Sequence, residues 1–289
     1  MRSMSTFLLS CGLFALAVYG ILGVMLAGSQ AQPAPPTRFD RVAMLSHLAH
    51  HVMLPTYLAF EAEATDLQRA TLELCEEPSR IRLATVQAHW KRAAKLWKRS
   101  EAFQLDLTQT YANSIGFWPT RPRRLWLALV SETPITPEFV ENMGVAAHGL
   151  SAMEQLLFDA KASPSGVLHA MQQGPMAKRW CPYFTAMAVH LAAQAKAVAQ
   201  LWRPEGGDFS GQVARAGQGS RAYPTSHQAI SDVVNQLVSA VDGVQHKKIG
   251  KPLLGNGRKP WPNAVEVGRS GVSAALTIAT LTLEGAFAI

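Results

Sequence analysis

The stretch "FTAMAVHLAAQAKAVAQLW", Phe184 to Trp202, decides the fold. Phe184, Met187, Leu191, Val198 and Trp202 recur in steps of three and four, with Ala188 and Ala195 on the same stripe. That is the period of a helix that buries one face, and no period-two alternation competes with it. Ile230, Val233, Val234, Leu237, Val241 and Val244 repeat the pattern. Carried along the chain, it predicts helices at about 38 to 76 with a kink at Pro55, then 80 to 110, 138 to 159, 180 to 202, 226 to 248 and 263 to 289. The expected class is all-α. Thr136 followed by Pro137 marks a helix start, because threonine can cap free amides and proline stands where no amide is needed.

A chain of 289 residues with 48% hydrophobic composition can build a sizeable core. Its formal charge is +7, but only 16% of residues are charged, which is too mild for a nucleic-acid binder. Residues 1–31 read as a signal peptide or an N-terminal membrane anchor. Arg2 precedes an apolar run from Phe7 to Ala27, and Ser29-Gln30-Ala31 offers small residues for cleavage. The run is also about as long as a membrane span, so inner-membrane association stays open. Residues 32–37 form a proline-rich spacer before the domain that begins at 38. Export would place Cys75 and Cys181 where thiols oxidise, either as one disulfide or as two buried thiols.

Several stretches carry candidate chemistry. His47 and His51 are four apart, a spacing that can chelate zinc, although the plainer reading is a polar helix face and no third ligand follows from spacing. No H-E-x-x-H motif occurs. In "HWKRAAKLWKRSEAF", Trp90, Ala94, Trp97 and Glu101 lie near one stripe while Lys91, Arg92, Lys95, Lys98 and Arg99 crowd the others. This is an amphipathic bundle helix, or a surface for anionic lipid. "RPRRLW", Arg121 to Trp126, reads as a basic connector, and Glu205 to Pro224 as a glycine-rich loop without the context of a phosphate cradle. In "GLSAMEQLLF", Glu154 shares a stripe with Leu150, Leu157 and Phe158. A buried carboxylate needs a cation, a metal or donors. "VEVGRSGVS" supplies Glu266, Arg269 and Ser270 as such a set.

Five stretches, "HWKRAAKLWKRSEAFQ", "IGFWPTR", "GLSAMEQLLF", "KIGKPLL" and "VEVGRSGVSAALTIATLTLE", in this order resemble the imelysin family of exported bacterial proteins. The resemblance covers nearly all of the chain after the leader. It implies two related helical bundles, here 38–160 and 161–289, a periplasmic or envelope location, and in several relatives a connection with iron uptake. The family's G-x-H-x-x-E signature matches Gly149, Ser151 and Glu154, with the histidine replaced by Ser151. A neutral hydroxyl is a poor ligand for iron or zinc, and His148 falls on a different face from Glu154. The resemblance also implies that Ser151, Glu154, Glu266, Arg269 and Ser270 face one cavity that binds a metal, iron or zinc, or a small anionic ligand. The competing arrangement is a structural pair of Glu154 with Arg269. The chain stops within an apolar helical run, so the second bundle is either incomplete or covered by an envelope partner. The favoured reading is an exported binding or accessory protein of envelope iron or metal handling that is not an enzyme. A purely structural or interaction protein and a metallopeptidase are the alternatives.

Overall fold

The computed structural model describes residues 39–158, 163–255, 259 and 265–281. The expected leader and spacer, residues 159–162, 256–258 and 260–264, and the end of the expected 263–289 helix from 282 on lie outside them. Among the described residues there are helices and turns and no strand, as the three-and-four periodicity predicts.

The first segment is built of α1 Arg41–His47, a π-helix Leu48–Met53 and α2 Leu54–Glu76. Then come α3 Arg80–Ser100, a 3-10 turn Glu101–Phe103, α4 Thr108–Gly116, α5 Pro122–Val130 and α6 Pro137–Asn142. They are followed by α7 Gly149–Leu157, α8 Pro164–Gln173, α9 Ala177–Trp202 and α10 Phe209–Ala214. The last part holds α11 Ser226–Asp242, a second π-helix Gly243–Gly250, α12 Lys251–Leu254 and α13 Ser273–Leu281.

The differences from the periodicity have local causes. The segment 138–159 is two helices, because Gly144 and Gly149 take φ of +80° and +74° in the intervening turn. "RPRRLW" opens α5, with Pro122 in the first turn where its missing amide costs nothing. Ser163 starts α8 by accepting the Gly166 amide, and the glycine-rich 205–224 segment contains α10. Thr136 caps α6 as its sequence predicts, accepting the Phe139 amide at 3.1 Å.

At Pro55 the helix widens rather than kinks. Proline has no N–H and its ring would meet the carbonyl four residues back. The π turn relieves this, with the Leu54 amide reaching five residues back to the Ala49 carbonyl. The same construction recurs before Pro252, where the Lys251 amide reaches His246.

The described residues from Arg41 onward form one compact unit in which α2 packs along both α3 and α9, and α13 lies on α3. The stripe from Phe184 to Trp202 is buried. Trp202 stacks on Tyr57 with ring centres 4.9 Å apart, and its indole N–H donates to the Thr108 hydroxyl at 2.9 Å. Helices from both sides of residue 160 therefore share one core. A disulfide between Cys75 and Cys181, with Cα atoms 5.6 Å apart, ties the end of α2 to the start of α9.

Candidate functional site

Gly149 sets α7 against the end of α4. A Cβ there would sit 2.5 Å from the Ser114 carbonyl oxygen and 2.7 Å from that of Ile115, and its φ is positive, so a side chain is excluded twice over. The helix is then fastened by side chains of its neighbours. The Trp90 indole donates to the Leu150 carbonyl at 2.9 Å, and the Gln87 amide to that of Leu157 at 2.7 Å.

This frame buries Ser151 and Glu154. One Glu154 oxygen accepts the Ser270 backbone amide at 2.9 Å. Burial raises the carboxyl above its ordinary pKa, and the Ser270 amide and hydroxyl oppose that rise more strongly than the charge and amide of Arg269. Arg269 is itself exposed. The "VEVGRSGVS" segment thus meets Glu154 through backbone as well as charge. A carboxyl with a raised folded-state pKa contributes stability in acid that is lost as pH rises through that value. Glu154→Gln keeps an acceptor for the Ser270 amide, so it is expected to gain on the parent as pH rises above the ordinary glutamate value of 4.5, both within about 1 kcal/mol in urea melts. Glu154→Leu strands that amide and is expected to cost about 1–3 kcal/mol.

Glu266 lies elsewhere, in a group of four charges of which Lys98 and Glu266 are buried and Glu101 and Lys248 partly buried. Lys98 on α3 donates to Glu101 at 2.6 Å and to Glu266 at shorter range. Lys248, on the second π-helix, donates to the other Glu101 oxygen at 2.5 Å and to the Thr280 hydroxyl at 2.8 Å, and stands 3.6 Å from Glu266. Burial works against the Lys98 ammonium, but Glu101 and Glu266 outweigh it and hold its pKa above the ordinary lysine value. Burial likewise opposes the Glu101 carboxylate, which Lys98 and Lys248 nevertheless hold below its ordinary value.

Three of the four border a cavity of about 310 Å³. Glu101, Lys248 and Glu266 line it, together with the indoles of Trp97 and Trp118 and the exposed Lys247. Gly116 allows the Trp97 indole to approach, since a Cβ at that position would sit 2.5 Å from Nε1. The Trp118 indole N–H is enclosed and has no partner among the described residues. Of the five residues inferred for ligand binding, Glu266 lines this cavity; Ser151, Glu154, Arg269 and Ser270 are not among its walls.

His47 and His51 share a face with ring centres 4.8 Å apart, His51 being exposed. Among the described residues, one trio has the spacing of a three-ligand metal site: Glu63, Asp66 and His89. Arginines already occupy it, Arg92 on Glu63 at 3.0 Å and Arg69 on Asp66 at 2.5 Å. A histidine pair that the sequence does not announce, His148 and His190, has ring centres 4.5 Å apart, with Glu141 3.1 Å from His190. The sequence reading places Lys98 among the surface cations of its helix and does not single out Lys248, although Glu101 on the Trp90–Trp97 stripe carries the same signal as Glu154, an acid on a buried face.

The five stretches that carry the resemblance converge here. Four of them supply cavity walls, and "GLSAMEQLLF" joins the fifth through the Glu154 contact. The family model described as Imelysin matches residues 53–285. Iron-regulated protein A of Synechococcus elongatus is 25% identical over 206 residues, 70% of this chain and 52% of that protein, so the chain spans about half the length of this relative. A Parabacteroides distasonis structure described as an iron-regulated protein A precursor superposes with a TM-score of 0.70 at 18% identity, over 86% of this chain and 73% of the other. An imelysin-like protein from Psychrobacter arcticum gives 0.61 at 18% identity, over 83% and 72%. With a family match across more than half its length and the same all-helical fold as these structures, the chain belongs to the imelysin family.

Proposed function

We propose that this protein is an exported binding or accessory component of iron handling in the cell envelope, and that its ligand is a small anion held in the cavity beside Lys98, Glu101, Lys248 and Glu266. The cavity carries the reading. The four charges beside it balance in pairs, while Lys247 adds a positive charge and Trp118 an unpaired donor at the wall. An anion with several acceptor oxygens matches those donors. The link to iron rests on the relatives, two of which bear the name iron-regulated protein A, one as a precursor. The leader sequence and the Cys75–Cys181 disulfide suit an oxidising compartment. Peptidase chemistry is no part of the proposal.

Isothermal titration with ferric citrate, and with citrate alone, tests it. The protein is expected to bind one equivalent, and Lys247→Gln, at an exposed position, to weaken binding about tenfold. Absence of heat with both probes, or equal affinity in the variant, overturns the reading. A second reading, an interaction protein, is favoured by the exposed apolar side chains of Val234, Val238 and Val241 on α11 and of Leu253 and Leu254 on α12.

A further inference from the structure

His148 and His190 lie outside the cavity, on α7's N-terminal boundary and on α9, with their rings inclined at 53°. Each has one nitrogen committed. His148 Nδ1 is 3.2 Å from the Ser114 carbonyl oxygen, an atom that can only accept. Nδ1 therefore carries the hydrogen and Nε2 keeps its lone pair. His190 Nε2 is 3.1 Å from the Glu141 carboxylate, which by the same reasoning draws the hydrogen there and leaves the lone pair on Nδ1. That Nδ1 is enclosed, has no hydrogen-bond partner among the described residues, and belongs to a side chain only 9% exposed.

An enclosed acceptor without a donor costs about 1–3 kcal/mol, so the arrangement calls for an occupant. Neutral imidazole lone pairs are what a borderline transition-metal ion binds, and no proton need leave when it does.

We propose that His148 and His190 form a binding site for a divalent transition-metal ion of the zinc class, with His148 Nε2 and His190 Nδ1 as ligands and Glu141 as the carboxylate that orients His190. A carboxylate behind a ligating imidazole fixes its tautomer and raises its basicity. Glu141 itself is 68% exposed, so it can be substituted without opening the core. The site is separate from the anion cavity, so either can fail without the other.

Zinc titration by calorimetry in a non-chelating buffer tests this on the parent, His190→Gln and Glu141→Gln, with cobalt(II) visible absorption as a second readout of nitrogen ligation. The parent is expected to bind one zinc that His190→Gln lacks, and Glu141→Gln to bind it 10- to 100-fold more weakly. Circular dichroism confirms that each variant is folded. If His190→Gln does not fold, the exposed Glu141 position decides alone. Zinc bound equally tightly by the parent and every folded variant belongs to other residues and overturns the proposal, as does an absence of zinc binding by the parent.

Discussion

Replacing Cys75 and Cys181 together by serine is expected to remove about 4–5 kcal/mol of stability, or roughly 10–15 °C in Tm. The bond joins residues 106 positions apart, so its main effect is to restrict the unfolded chain, and that effect grows with loop length. Among the described residues it is also the one disulfide, and it joins the α2–α3 hairpin to α9. Urea melts of the oxidised, reduced and doubly substituted protein check it. The reduced parent and the double variant should agree. A loss below about 1 kcal/mol in both would mean that packing alone fixes the α2–α9 register.

Lys98→Met is expected to cost about 3–5 kcal/mol, the second large effect. Methionine fills nearly the same volume, so the loss is electrostatic: Glu101 and Glu266 are left facing each other with Lys248 as their main counter-charge. Adding Glu266→Gln should recover part of the loss, and the recovered part measures the coupling. If the two substitutions simply add, the four charges do not act as a group. The parent also carries a pH signature. The Glu101 pKa is depressed, so its contribution is present above the ordinary glutamate value of 4.5 and is lost as pH falls through the lower folded value. This acid-side loss is opposite in sign to the contribution of Glu154, and Lys98→Met should shrink it.

Much of the helical content is legible in the sequence because the signals are local. The stripe ending at Trp202 and the Thr136 cap need only neighbours within a few turns. Pro55 announces a disturbance, but whether the helix kinks or widens depends on the packing of Leu48, Val52 and Met53, which are buried on the core side of the π-helix. The break between α6 and α7 is missed because apolar spacing continues across it, and only backbone geometry shows that Gly144 and Gly149 are left-handed.

The site is legible as residues but not as partnerships. Glu154 stands out as an acid on an apolar stripe, yet its donor is a backbone amide 116 residues away. Lys98 reads as one cation among many on a basic helix. It is buried because α13 lies across α3, and its partner Glu266 is 168 positions distant. Nothing in the spacing of His148 and His190 suggests that their rings meet.

The paired π-helices have a consequence for how the side chains are aimed. A widened turn holds an extra residue, and each extra residue turns everything downstream by about 100° around the axis. Across α11 and the start of the second π-helix, the period inferred from Ile230 to Val244 mixes two faces, with Val233 and Val244 buried while Val234 and Val241 are about half exposed. Through the second π-helix the phase shifts, so that Lys247 and Lys248 reach the cavity while Leu253 and Leu254 look outward. Deleting a single residue between Gly243 and Gly250 would restore an ordinary helical ladder and rotate one set relative to the other, with composition and helix content almost unchanged. The placement of these lysines is thus encoded in residue count as much as in residue type.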